Sequence, residues 1–217
     1  MIRRIPILPT IVVVLAALLM VRLGIWQLHR LHEKEALLAR YAANVAKPPL
    51  PLAALFPVKA DALYRRTSAY CLDVVGWKTE AGRGADGRSG WRHIASCRTG
   101  AEGPGIAVDV GISAAPTTPQ WNGGPVSGRL TEAPTDAPLI ARLLSTPAAP
   151  TPMIVSESAA PGLAPTAPPD PRNIPNNHLS YAVQWFIFAA LALIIYAVAL
   201  WQRRRKKDWA PDREPAP

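Results

Sequence analysis

Two apolar runs bracket this chain: Ile5–Leu23, with Arg22 near its edge, and the uncharged Ala182–Leu200. About 20 residues at a rise of roughly 1.5 Å cross a ~30 Å hydrocarbon core, so each run is long enough to span a bilayer as a helix. A fold for this sequence must therefore place two helices in lipid and build everything between them on one side of the membrane. Arg3 and Arg4 precede the first run, and Arg203-Arg204-Arg205-Lys206-Lys207 follow the second. Short flanks rich in Lys and Arg stay cytoplasmic. The expected division is a cytoplasmic N-terminus (1–4), a first transmembrane helix (5–25), an extracytoplasmic, periplasmic α+β domain (26–178), a second transmembrane helix (179–201) and a basic cytoplasmic tail (202–217).

A cleaved signal peptide is the alternative for the first run. It is disfavoured because Val21-Arg22-Leu23-Gly24-Ile25-Trp26 offers no small-x-small cleavage site. With the apolar run starting so early, no amphipathic mitochondrial import segment precedes it. The expected location is the bacterial cytoplasmic (inner) membrane, multi-pass, with both termini cytoplasmic.

The formal charge of +9 would ordinarily suggest a polyanionic partner. Residues 24–180 carry 15 Lys/Arg against 12 Asp/Glu, a net of only +3. Most of the excess thus sits in the spans and tails, where it sets topology. Nucleic acid is excluded as an expected partner, and membrane lipid is the expected one.

The excursion is long enough for one domain with its own core. Leu37, Leu38, Tyr41 and Val45 recur at helical spacing over Glu33–Ala46, so a short amphipathic helix continues or follows the first span. Lys47-Pro48-Pro49-Leu50-Pro51 ends it. Candidate strands follow at Leu63–Trp77, Trp91–Arg98, Gly105–Ser113, Val126–Thr131 and Met153–Ser158, with one helical patch at Leu139–Leu144. The expected fold is two transmembrane helices flanking a mainly antiparallel β extracytoplasmic domain, a small sheet or partly open barrel, with a short helix after the first span. Of the 24 prolines, 15 lie between Pro104 and Pro175, and the proline-rich 159–175 reads as an extended tether without a hydrogen-bond ladder.

Cys71 and Cys97 are the only cysteines. Facing an oxidising compartment, and with no Cys-x-x-Cys spacing, they read as a structural disulfide, with a thiol or copper role as the alternative. Gly82-Arg83-Gly84-Ala85-Asp86-Gly87 has the G-x-G-x-x-G spacing of a dinucleotide-binding turn. That motif needs a helix after it, and Arg88-Ser89-Gly90-Trp91 reads as a hairpin instead. No Ser or Cys stands in a nucleophile motif, so the chain is not expected to be an enzyme.

The polar residues that remain lie at the outer ends of the spans. His178, Tyr181, Ala182 and Trp185 share one helical face, Gln184 is the strongly polar residue inside the second run, and Gly24, Trp26, Gln27 and Arg30 reach the same depth on the first. One reading makes Trp26, Tyr181 and Trp185 an aromatic belt, with Arg30 snorkelling and His178 capping a helix. The other makes His178 a ligand for haem iron, with Arg30 pairing a propionate.

A resemblance bears on that choice. Gly24-x-Trp26-Gln27-Leu28-x-Arg30-x-x-x-Lys34, Val108-Asp109-Val110-Gly111 with Ser127-Gly128-Arg129-Leu130, and Asn177-His178-Leu179-Ser180-Tyr181-Ala182-x-Gln184-Trp185-Phe186 together resemble the surfeit locus protein 1 family. The resemblance implies a two-span assembly factor for cytochrome c oxidase that helps place haem a in the catalytic subunit. It makes His178 the candidate haem a ligand, with transient binding, and Arg30, Gln27 and Trp185 candidate pocket residues. The oxidase catalytic subunit and haem a synthase become the expected protein partners. A scaffold that steadies an oxidase subunit without touching haem is the alternative function. This chain departs from the family pattern at Gly111-Ile112 and in its Cys71/Cys97 pair with the glycine-rich loop between them.

Overall fold

The computed structural model describes residues 6–100, 105–135 and 149–208. The chain divides into a helical unit, comprising residues up to Ala36 and from Pro175 onward, and a sheet unit, Leu37–Ile174.

In the helical unit, α1 (Ile7–Asn44, its last residues belonging to the sheet unit) and α2 (His178–Asp208) are both long and apolar enough to cross a membrane. The amphipathic segment prolongs α1 without a break, the first of the two arrangements expected for it. Nothing between Leu23 and Glu33 stops a helix: no proline intervenes, and Gly24 alone is tolerated.

The sheet unit holds β1 (Arg66–Cys71), β2 (Asp73–Arg83), β3 (Ser89–Arg98), β4 (Ile106–Ser113), β5 (Gly124–Glu132) and β6 (Pro152–Ser156). Their order across the sheet is β1-β5-β6-β4-β3-β2. The sheet is mixed: four of its five pairings are antiparallel and the fifth is parallel, β6 running antiparallel to β5 but parallel to β4. These two central strands carry near-continuous apolar runs. Ile106, Val108, Val110 and Ile154 pack into one cluster, while Ala107, Met153 and Val155 pack into another with Ile94. Burial on both faces erases the polar alternation of a surface strand.

The expected single strand Leu63–Trp77 is two. Its halves pair at opposite edges of the sheet, β1 with β5 and β2 with β3, and only Leu72 separates them. One residue can bridge the two edges only if the sheet curls until they meet. A disulfide joins Cys71 on β1 to Cys97 on β3 at that corner, with Cα atoms 5.3 Å apart. Gly123 is needed beside it, because a Cβ there would lie 2.4 Å from the Cys71 carbonyl oxygen.

The β2–β3 connection is the expected hairpin. Gly84 and Arg88 share a backbone bond, Gly87 has φ +82°, and no helix follows. The proline-rich tether differs from its expectation up to Ile174. Ala160 donates to Val110, Ala164 exchanges two bonds with Ile112, and Ala167 donates to Arg83. Prolines cannot donate, but the alanines between them can, and Pro165 accepts from Ala85. This strap is thus bound along the sheet. The Leu139–Leu144 patch lies outside the described residues.

The central motifs build this sheet. A Cβ on Gly128 would lie 1.9 Å from the Val155 carbonyl oxygen, so glycine lets β6 approach β5. Arg129 donates to the Tyr64 carbonyl at 3.1 Å, and Leu130 is fully buried. Asp109 is fully buried as well. One carboxylate oxygen accepts from Arg92, and the other accepts from the Gly111 N–H and from Thr166 on the strap.

Candidate functional site

The site is best built from the helical unit's own periodicity. Thr10, Ala17 and Gly24 stand seven apart on α1, and Ala182, Ala189 and Tyr196 stand seven apart on α2. Ala17, Gly24, Ala182 and Ala189 are buried, while the apolar residues flanking them are largely exposed. A seven-residue repeat of small residues lets two helices approach closely, which lipid-embedded pairs need because no hydrophobic force drives them together. Thr10 and Tyr196 close one end through a hydroxyl–hydroxyl hydrogen bond. Near the other end a Cβ on Gly24 would come within 2.6 Å of the Phe186 ring. Glycine there is a seat for an aromatic side chain.

One turn beyond Gly24, Gln27 meets His178, the first residue of α2. The Gln27 Oε1 lies 2.7 Å from the His178 Nδ1. A carboxamide oxygen can only accept, so Nδ1 carries the proton and donates. In a neutral ring Nε2 then holds the lone pair. Among the described residues Nε2 makes no hydrogen bond, and the ring is half-buried. His178 is therefore not spent on capping its own helix.

The other predicted site residues are distributed around this pair. Trp185 lies two turns along the same face of α2, half-buried, with its ring edge-on to Phe188 at 6.3 Å. Arg30 is paired with Glu33 on its own helix, and both are more than half exposed. Trp26 (52% exposed) and Tyr181 (51%) lie at the helical surface, as do Ser180 and Gln184. The Asn177 carbonyl accepts from the Tyr181 amide, starting α2. The structure thus brings Gln27 and His178 together and leaves Arg30, Trp26, Tyr181 and Gln184 outside the contact. Phe186 stands at the end of its motif, and its partnership with Gly24 has no local signature.

Among the described residues no three His, Cys, Asp or Glu side chains are grouped to hold a metal ion. Haem is a different case, since the porphyrin fills four positions and asks the protein for one donor. A lone imidazole with its Nδ1 proton anchored, its Nε2 free and aromatic side chains on its own helix fits that requirement.

His93 does not offer the same chemistry. It is fully buried on β3, with Nε2 2.7 Å from the Ser113 hydroxyl and Nδ1 without a partner among the described residues. Burial pushes its pKa down, partly opposed by nearby Asp109.

No curated protein matches the chain. The model of the SURF1 family matches residues 14–190, a stretch that takes in α1 from its third turn, the whole sheet unit and α2 as far as residue 190. The chain belongs to the SURF1 family, a family associated with cytochrome oxidase assembly.

Proposed function

We propose that this protein assists haem a insertion into the catalytic subunit of cytochrome c oxidase, holding the cofactor transiently through His178 at the outer edge of the inner membrane. The observation that carries the reading is the Gln27–His178 hydrogen bond. Two motifs, 151 positions apart in the chain, end in a single contact that leaves one imidazole lone pair unused.

A bound haem a would supply a Lewis-acidic iron, which His178 Nε2 would hold. The rest belongs to the chain. Gln27 fixes the ring's tautomer and orientation, as outer-sphere partners of metal-bound histidines commonly do. An uncharged carboxamide withdraws little of the Nδ1 proton, so the ring stays a moderate donor. That suits a carrier, which must release its cargo. Trp185 lies along the same helical face as an apolar wall, and Arg30, held by Glu33, would need to exchange partners before meeting a propionate. No turnover is required of any of these residues.

In the proposed topology both termini are cytoplasmic and residues 26–178 are periplasmic. A reporter active only outside the cytoplasm should work when fused near residue 100 and fail when fused after Lys207. The functional test is copurified haem in cells that make haem a. His178→Ala should lose most of it while the protein still inserts and accumulates. Equal haem content and spectrum in wild type and His178→Ala would remove this ligation and favour the scaffold reading.

A further inference from the structure

The face of α1 turned away from Gly24 is not plain lipid-facing surface. At 100° per residue, Arg22, Trp26 and His29 lie within about 60° of one another and roughly opposite Gly24. With Leu18, Leu19 and Ile25 they line an open groove of about 740 Å³. Arg22 is exposed and has no ion-pair or hydrogen-bond partner among the described residues. It also stands at the outer end of its span, where the positive-inside bias works against a cation. A charge on a lipid-facing helix is costly unless an anion meets it.

We propose that this groove is a binding site for one anionic phospholipid of the outer leaflet. Its phosphate would be held between Arg22 and His29 beside Trp26, and its acyl chains would lie on Leu18 and Leu19. The polarity gradient along the helix points to an amphiphile. The cation, the indole and the imidazole follow one another outward over two turns, about 10 Å, while the inward end is wholly apolar. A carboxylate on a partner's transmembrane helix would need no such gradient. The site rests on the two-span topology proposed above and not on haem binding.

The experiment uses the full-length protein from cells lacking haem a synthesis, exchanged into phosphatidylcholine bilayers with and without phosphatidylglycerol. Lipid retained after extraction is counted by native mass spectrometry. Wild type should retain one phosphatidylglycerol in preference to phosphatidylcholine by about fivefold, the worth of one interfacial arginine. Arg22→Gln should abolish that preference, Arg22→Lys should keep part of it, and Arg88→Gln in the β2–β3 hairpin should leave it intact. Equal retention by wild type and Arg22→Gln overturns the site. So does preference that appears only when haem a is made, or an oxidase subunit retained through Arg22 in place of lipid. Resistance to alkaline carbonate extraction is measured alongside, so failure of the spans to insert is distinguished from failure of the lipid site.

Discussion

His178 in the helical unit and His93 in the sheet unit each make one 2.7 Å hydrogen bond through a ring nitrogen, and they differ in what surrounds the other nitrogen. At His178 the partner is a carboxamide oxygen on another helix, and the remaining Nε2 is left free at a half-buried edge. At His93 the partner is the Ser113 hydroxyl, whose own proton goes to the Ala115 carbonyl at 2.5 Å. The ring must therefore donate from Nε2, and its Nδ1 lone pair is enclosed in protein without a donor among the described residues. The same side chain is thus available in one unit and walled off in the other. The cause is how each unit is held together. The helical pair relies on small residues, leaving gaps and exposed edges, whereas the sheet buries its central strands on both faces.

The sharpest way to break this comparison is to disable the sheet alone. Gly128→Ala places a Cβ against the Val155 carbonyl, where backbone rather than a flexible side chain must move. A loss of stability on the order of 4 kcal/mol or more is expected. Hydrogen exchange should show unprotected sheet amides while the helices still insert. If the sheet stays protected, the close β5–β6 approach is not a requirement of the fold.

Next in size is the disulfide. Changing Cys71 and Cys97 together to serine should lower sheet stability by about 3 kcal/mol in the chain-entropy model, read as a reduced melting midpoint. Haem content should not change. Lost haem or lost oxidase assembly at unchanged stability would assign the cysteines chemistry instead.

Gln27 tests the helical side of the comparison. Gln27→Leu removes the acceptor for Nδ1–H and should weaken haem retention roughly tenfold, with sheet melting unaltered. ¹⁵N spectra of histidine-labelled apoprotein should show His178 losing its fixed Nδ1–H tautomer. Gln27→Glu, a stronger acceptor, should retain haem longer and slow its transfer to apomyoglobin. An unchanged tautomer in Gln27→Leu would mean that the hydrogen bond does not set the ring.

The smallest effect concerns His93. Its folded pKa lies below the ordinary value, so as pH falls past about 6.5 the unfolded chain takes up this proton before the folded one does. Stability should decline with falling pH from there down to the lowered folded value, and this contribution should be flat above about 6.5. Denaturation of the full-length protein at several pH values should show the slope, and His93→Gln should remove it. A slope that survives the substitution belongs to other groups.

Much of the architecture was legible in the sequence. Helix and strand periods, glycine-rich turns and the basic flanks are local signals, and they located both apolar helices, β3 to β6 to within a few residues and the β2–β3 hairpin. The residues at the membrane-edge motifs were legible as a group. Their division of labour was not: Gln27 and Arg30 looked alike as pocket candidates, yet one meets His178 and the other pairs with Glu33. The strap was misread because its prolines were visible, while the acceptors for the alanines between them lie on β4 and β2.

What the sequence determined by itself is what depends on neighbours within a turn or a strand. That covers two apolar helices, a β-rich region between them and the glycine-rich turn of the β2–β3 hairpin. The tertiary structure alone decided which distant groups meet. The parallel β4–β6 pairing, the edge-to-edge turn at Leu72 and the proton on His178 Nδ1 each depend on a partner brought close only by the folded chain. Strand direction and hydrogen-bond partnership are properties of pairs, and a linear pattern specifies only one member of each.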